Sequence, residues 1–308
     1  MTSDAAVNTK MISLAGTDLW QWWQQARQQA QSAGVDPAEA DWLLQACTDV
    51  DSLALRLGSW VHQPQRCRFT LAELQEKWRQ RLEARVPVQY LVGFTQWRDF
   101  TLAVSPAVLI PRPETELLID IVLDWLSRQP LSRELSSSHW VDLGTGSGAI
   151  ALGLAQALPK ASVHGVDLSG DALAIARTNA ERHNLSHRIT FHQGSWLQPL
   201  AHLRGTIAGI VSNPPYIPKA VIATLEPEVA NHEPLSALEG GSDGLASICV
   251  LVDMAPDYLI SGGLWLVETM QGQGQQVSNL LQSQGSYGHI QVIPDLAGID
   301  RFVLAVRR

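Results

Sequence analysis

The chain has 308 residues, 45% of them apolar and 17% charged, which is material for packed cores in about two domains of ~150 residues and excludes disorder as the dominant state. Lys and Arg number 22 against 30 Asp and Glu, a formal net charge of −8, which excludes a protein that grips duplex nucleic acid mainly through its phosphates.

From residue 18 to about residue 85 the pattern is helical. Leu19, Trp22, Trp23 and Ala26 recur at i, i+3, i+4 and i+7, and Asp18 can cap the start. Asp36-Pro37 announces a second helix, a cap followed by proline at the first helical position, and Thr70-Leu-Ala-Glu73 announces a third through a capping box. Between Arg66 and Arg85 six basic and three acidic side chains read as a solvated helix face. From Val88 to Ile110 the spacing alternates and is rich in β-branched residues, which predicts a strand pair linking two domains.

After Glu114 the pattern becomes βαβα. Strands are predicted at 140–143, 162–166, 188–192, 207–212, 264–268 and, after Gln291-Val-Ile, at 301–306; helices are predicted at 149–158 and 171–183, and the serine-rich stretch 131–138 reads as a loop. This alternation predicts an α/β fold with a doubly wound, mainly parallel sheet, preceded by a helical bundle (1–86) and a β-hairpin linker (87–113), with the α/β domain at 114–308. Composition divides with it. Residues 1–113 hold 11 basic and 11 acidic side chains and seven of the 11 tryptophans, whereas residues 114–308 hold 11 basic and 19 acidic, so all the net acidity lies in the second part. Cys47, Cys67 and Cys249 form no CxxC pair, so no disulfide framework or zinc site is readable, no metal is expected, and a reducing cytoplasm fits best. No apolar run approaches the ~20 residues of a membrane span, and residues 1–10 lack the apolar core of a signal peptide.

Val141-Asp-Leu-Gly-Thr-Gly-Ser-Gly148 lies between a predicted strand and a predicted helix. Its glycines permit a tight turn and let a ligand approach the strand end without a Cβ in the way. Asp167 ends the second strand 23 residues after Gly144, where a carboxylate can accept from both ribose hydroxyls. The spacing GxGxG differs from the dinucleotide fingerprint GxGxxG. The Asp142 carboxylate before it would repel a pyrophosphate but suits an ammonium group, so S-adenosylmethionine is favoured over a nicotinamide dinucleotide and over a bare glycine turn. The fourth strand runs into Asn213-Pro-Pro-Tyr216, which a doubly wound sheet brings to the same crevice. Asn213 offers a carbonyl acceptor, Pro215 biases Pro214 to an extended form that turns a second carbonyl outward, and Tyr216 offers a flat face. Together they suit a planar NH2 group, whose nitrogen gains electron density when both its protons are accepted; the plain alternative is a rigid turn after a buried strand.

With these motifs in order, the chain resembles the HemK/PrmC family, the protein-(glutamine-N5) methyltransferases that modify the GGQ glutamine of class I peptide chain release factors. The likeness covers most of the sequence. It is carried by Pro87-Val-Gln-Tyr-Leu-Val-Gly93, Val108-Leu-Ile-Pro-Arg-Pro-Glu-Thr-Glu116, Asp142-Leu-Gly-Thr-Gly-Ser-Gly148, Asp167-Leu-Ser, Ser212-Asn-Pro-Pro-Tyr-Ile217, His232-Glu-Pro-Leu-Ser-Ala-Leu-Glu-Gly-Gly-Ser-Asp-Gly244, Glu268 and Gly298-Ile-Asp-Arg301. The resemblance implies a class I S-adenosylmethionine-dependent methyltransferase, Rossmann-like with a seven-stranded sheet; because a glutamine side chain alone offers little binding energy, the helical bundle and strand pair are expected to grip the release factor at a distance from the chemistry. It implies that Gly144, Thr145, Gly146, Ser147, Gly148, Asp167 and Asn213 bind S-adenosylmethionine, with Trp196 along the adenine. It further implies that Asn213, Pro214, Pro215 and Tyr216 hold the glutamine, with Asn213, Pro214 and Tyr216 acting in catalysis. Ser195 stands where many relatives carry an acid facing the adenine amino group, and the stretch after Glu268 reads Thr-Met-Gln-Gly-Gln, unlike some relatives. In the Pro-Arg-Pro-Glu-Thr-Glu stretch, Pro113 starts a helix whose positive end Glu114 and Glu116 favour. Two readings compete. An N6-adenine nucleic-acid methyltransferase uses the same tetrapeptide class, but the −8 of the second part opposes it; a non-catalytic S-adenosylmethionine-binding adaptor is opposed by the intact Asn-Pro-Pro-Tyr.

Overall fold

The computed structural model describes residues 11–308; the signal-peptide reading of residues 1–10 lies outside the described residues. The chain divides into two compact units, one running up to Gly93 and including Pro227–His232, the other comprising Phe94–Glu226 and Glu233–Arg308.

The first unit runs β1 (Ile12–Leu14), α1 (Gly16–Ala33), α2 (Ala38–Cys47), α3 (Ser52–Leu57), β2 (Gln65–Cys67), α4 (Leu71–Glu83) and α5 (Val88–Val92), with β1 and β2 paired antiparallel. α1 begins before Asp18, which therefore does not cap it; Asp18 lies in the first turn, where its charge favours the positive helix end. Leu19, Trp22, Ala26 and Ala30 form its buried stripe, while Trp23 is half-buried and donates its indole N–H to Asp41 Oδ1 at 2.7 Å. Both hydrogen bonds of the Thr70–Glu73 capping box form at the start of α4.

Two expectations are corrected in this unit. The basic stretch 66–85 is not wholly a solvated face. Arg81 is 3% exposed, donates to both carboxylate oxygens of Glu39 at 2.5 and 2.6 Å, and pairs with Glu228 at 2.6 Å. Arg85 shares the Glu228 carboxylate at 2.7 Å. The start of the predicted strand pair is instead α5: Val88, Leu91 and Val92 fall at i, i+3 and i+4 and bury one face, between Pro87 and a left-handed Gly93. Strand pairing is confined to β3 (Phe94–Trp97) and β4 (Phe100–Ala103), and Val108–Ile110 is in no strand.

In the second unit a short 3-10 turn, Glu114–Glu116, leads into α6 (Leu117–Ser127), and the predicted loop at 131–138 contains α7 (Ser132–Leu135). The alternating part is β5 (His139–Leu143), α8 (Ala149–Ala157), β6 (Ser162–Asp167), α9 (Gly170–Arg182), β7 (Ile189–Gln193) and β8 (Ile207–Ser212). After α10 (Lys219–Ile222) and α11 (Pro227–His232, part of the first unit) come α12 (Ala246–Met254), β9 (Leu259–Glu268), α13 (Gly274–Gln284), β10 (Tyr287–Pro294) and β11 (Asp300–Arg307). The seven strands lie in the order β10-β11-β9-β8-β5-β6-β7, parallel from β9 to β7, with β11 and β10 joined antiparallel at one edge. This is the doubly wound, mainly parallel sheet of the class I methyltransferase fold.

Successive strand residues enter opposite cores. Trp140 and Val211 join Leu118, Val122 and Leu152 in one cluster, whereas Val141 and Ile210 join Ile248, Leu251 and Val277 in the other. Both faces are buried, as parallel strands require.

Removing the Arg81 guanidinium leaves two carboxylates facing each other. Arg81→Ala is expected to lower unfolding stability by about 3 kcal/mol, read by urea titration of the intrinsic tryptophan fluorescence to which this unit contributes most of the indoles.

Candidate active site

β5 and β8 are parallel neighbours, and Leu143 stands opposite Ser212 at their C-terminal ends. The glycine loop leaving β5 and Asn213 leaving β8 therefore start at one edge of the sheet. A cavity of about 330 Å³ opens there, lined by Gly144–Ser147, Asp167, Trp196, Asn213 and Pro215, and closed opposite by residues 107–111 and 234–237.

Carboxylates shape the glycine loop. Asp167 accepts from Gly146 N at 2.8 Å through one oxygen and from Ser169 N at 2.9 Å through the other. Asp142 is fully buried and does not line the cavity, so the expectation that it faces a ligand ammonium group is corrected. Its Oδ2 accepts from Thr145 Oγ1 at 2.5 Å and Ala151 N at 3.0 Å, bracing the loop from behind, while Oδ1 has no protein partner. Burial pushes its carboxyl up to about 7. Gly144 and Gly146 have φ of +72° and +53°, and a Cβ on them would meet nothing closer than the Trp196 ring at 3.9 Å and the Gly144 carbonyl at 4.0 Å. The loop thus leaves an open cradle against the strand end, beside the Asp167 carboxylate, of the form a nucleoside cofactor fits. Gly148 is not in the cavity wall. A Cβ there would stand 3.0 Å from Leu152 and 3.2 Å from Ala176, so this glycine serves the close packing of α8 on α9. Ser195 and Trp196 both border the cavity, Trp196 with a φ of +50°.

The tetrapeptide after β8 is held from three sides. Ser212 Oγ donates to Leu143 O at 2.6 Å, tying the ends of β8 and β5 together. Asn213 Nδ2 donates to Thr115 Oγ1 at 3.2 Å, Thr115 donates to Glu268 Oε2 at 2.7 Å, and the Tyr216 hydroxyl donates to Glu268 Oε1 at 3.1 Å. Burial raises the proton affinity of both Glu268 and Tyr216. Behind the motif, Gln273 Nε2 donates to Tyr216 O at 3.0 Å, and a Cβ on Gly240 would lie 2.8 Å from both Pro215 O and Tyr216 Cα. A Cβ on Gly244, whose φ is +82°, would come closer still, 2.2 Å from Tyr216 O. Asn213 and Pro215 reach the cavity; Pro214 is buried, and neither it nor Tyr216 lines the cavity.

Thr115, Glu268, Gln273 and the two glycines carry no assigned role in the sequence reading. They sit in or beside quoted motifs, but 98 residues separate Asn213 from Thr115 and 153 separate Thr115 from Glu268, so only folding reveals the contacts. Arg112 pairs with the buried Glu233 at 2.6 Å, joining two stretches that flank the cavity's far wall. Burial pushes the Glu233 carboxyl upward despite the guanidinium.

Residues 135–235 match the family described as a methyltransferase domain, and residues 21–93 match the PrmC N-terminal domain. A release factor glutamine methyltransferase of Synechocystis is 52% identical over 292 residues, covering 95% of this chain and 97% of that protein. Counterparts with the same description from Gloeobacter violaceus and Agrobacterium fabrum are 45% and 37% identical, covering 92% and 99% of this chain and 95% and 98% of their own. Among solved structures, the hMettl16 catalytic domain in complex with the MAT2A 3'UTR hairpin 6 superposes with a TM-score of 0.54 at 16% identity, over 68% of this chain and 75% of that one, a likeness of fold alone.

Because folding raises the Asp142 pKa from 3.8 to about 7, the folded state binds the extra proton between those values, and this group's contribution to stability falls as pH rises through the window. The melting temperature of Asp142→Asn minus that of the wild type is expected to climb across that range and then level off. Gly240→Ala forces a methyl into the tetrapeptide backbone and is expected to cost about 1–3 kcal/mol, measured by thermal unfolding.

Proposed function

The chain belongs to the release factor glutamine methyltransferase family, and we propose on that premise that it transfers a methyl group from S-adenosyl-L-methionine to the side-chain amide nitrogen (N5) of the glutamine in the GGQ motif of class I peptide chain release factors, supporting translation termination. One observation carries the reading: the glycine loop and Asn213 line the same cavity, so a cofactor in the cradle and an amide on Asn213 are neighbours.

When bound, the cofactor supplies an electrophilic sulfonium methyl. Gly144, Thr145, Gly146 and Ser147 hold its body, Asp167 accepts from its ribose, and Trp196 lies along its adenine with the Ser195 hydroxyl nearby. Gly148 acts through packing. An amide nitrogen is a poor nucleophile because its lone pair is delocalised into the carbonyl. Asn213 Oδ1 and the Pro214 carbonyl accept hydrogen bonds from its two N–H groups, returning electron density to nitrogen, and orient it toward the methyl. Pro214 and Tyr216 lie outside the cofactor cavity and are assigned to the substrate side of the motif, Tyr216 as the flat wall for the amide. The tetrapeptide holds no base; an alkylated amide nitrogen is strongly acidic and would give its proton to water.

We assign residues 1–86 to release-factor recognition, 87–113 to a linker and 114–308 to methyl transfer. A glutamine side chain alone offers little binding energy, so affinity comes from remote surface. The acidic catalytic part disfavours a nucleic-acid substrate, and no helix among the described residues is long and apolar enough to cross a membrane. We assign the enzyme to the cytoplasm, a reading supported by three cysteines that form no CxxC pair.

With labelled S-adenosylmethionine, wild type is expected to place one methyl on the GGQ glutamine of a purified release factor. Asn213→Ala is expected to lose at least about 100-fold in kcat while still binding cofactor. Methylation of plain duplex DNA with the release factor untouched would falsify the reading. Remote recognition predicts a far lower KM for intact release factor than for a short GGQ peptide; equal values would contradict it.

A further inference from the structure

We propose that Thr115 and Glu268 are positioning residues that lock the Asn213 side-chain amide with its carbonyl oxygen turned toward the reacting glutamine. The inference rests on the assignment of Asn213 as the amide acceptor and concerns what decides which end of that amide faces the substrate.

Both ends of an asparagine amide have nearly the same shape, and they differ only in hydrogen-bonding sense. For methyl transfer the difference is complete: the oxygen accepts from the substrate NH2, whereas the NH2 end would oppose it donor to donor. The hydrogen count of the Thr115–Glu268 chain resolves the choice. Glu268 is 1% exposed; in its ionised form, which the two hydroxyl bonds and the charge of Arg301 favour against the upward push of burial, it can only accept. Its Oε1 is taken by the Tyr216 hydroxyl at 3.1 Å and its Oε2 by Thr115 at 2.7 Å. Thr115 has a single hydroxyl hydrogen, and it is committed to Glu268. Toward Asn213, 3.2 Å away, Thr115 Oγ1 can therefore only accept, so the Asn213 nitrogen faces it and Oδ1 is left for the substrate.

The backbone makes this arrangement stiff. β8 and β9 are parallel neighbours with Ser212 opposite Val267, so Asn213, just past the end of β8, and Glu268, the last residue of β9, follow directly on that pair. Thr115 is buried in the 3-10 turn Glu114–Glu116, and its N–H is held by Arg112 O at 3.2 Å. Three separate segments thus meet at one carboxylate.

A glutamine at 268 has the same shape but one acceptor oxygen for two hydroxyl donors. With its NH2 toward Thr115, the threonine hydrogen turns to Asn213 and the amide reverses; with its NH2 toward Tyr216, the tyrosine hydroxyl loses its acceptor at the other end of the tetrapeptide. Valine at 115 removes the hydroxyl and leaves the Asn213 amide unpinned, whereas serine preserves it.

The test uses the full chain with a purified release factor and labelled S-adenosylmethionine, comparing wild type, Thr115→Val, Thr115→Ser and Glu268→Gln. Thr115→Val and Glu268→Gln are expected to lose about 100-fold in kcat, with cofactor affinity by equilibrium dialysis unchanged within about threefold, and Thr115→Ser is expected to recover most of the rate. A Thr115→Val enzyme with near-wild-type kcat overturns the inference. So does loss of cofactor binding in step with activity, which marks a purely structural role, or a Thr115→Ser enzyme as slow as the valine variant. Failure of the wild type itself to methylate the release factor overturns the proposed function, and this inference with it.

Discussion

The pairing of β8 with β5, rather than with the preceding strand β7, is the constraint on which the site depends. The chain builds outward through β5, β6 and β7, then crosses to the other side of β5 and continues through β8 and β9. At that reversal the connections leave on opposite faces of the sheet and a crevice opens at the C-terminal strand ends. Four of the groups assigned to chemistry or its support stand at such ends, the glycine loop after β5, Asp167 at the end of β6, Asn213 after β8 and Glu268 at the end of β9, and Thr115 reaches them from the turn before α6. The strand register, with Leu143 opposite Ser212 and Ser212 opposite Val267, converts positions far apart in sequence into neighbours a few ångströms apart.

Within the crevice, order comes from carboxylates used as acceptors. Asp142 braces the glycine loop from behind and Asp167 holds it from the side. Glu233 joins the 107–112 stretch through Arg112, and Glu268 gathers two hydroxyls. Burying a carboxylate costs energy unless it is hydrogen-bonded, and the upward-shifted protonation of Asp142, Glu233 and Glu268 reflects that cost. The return is rigidity: polar groups already aimed need little reorganisation when charge shifts in the reaction. The net acidity of the second part is thus partly internal scaffolding.

Local features were legible where one short segment contains its whole cause. The capping box at Thr70, the βαβ alternation from residue 139 onward and the glycine loop between strand and helix all depend on residues within a few positions of one another. The start of the expected strand pair is helical because the short, mainly apolar stretch Val88–Val92 fits either period, and Pro87 and Gly93, which bound it, suit both. Arg81 was read as solvated because its partners, Glu39 and Glu228, lie 42 residues before it and far beyond it, so charge spacing along one helix could not reveal them.

The sequence by itself determined the fold class and located the glycine loop and the tetrapeptide assigned to cofactor and substrate, because periodicity and motif order are properties of neighbouring residues. Tertiary structure alone decided the orientation of those parts. It turned Asp142 inward to brace its loop, made Gly148 a packing residue, set Gly240 and Gly244 against the tetrapeptide backbone, and brought Thr115 and Glu268 to Asn213. Each of these depends on a hydrogen bond or a close approach between segments that only the strand order makes adjacent. Composition has no means of encoding which donor meets which acceptor until the sheet is built.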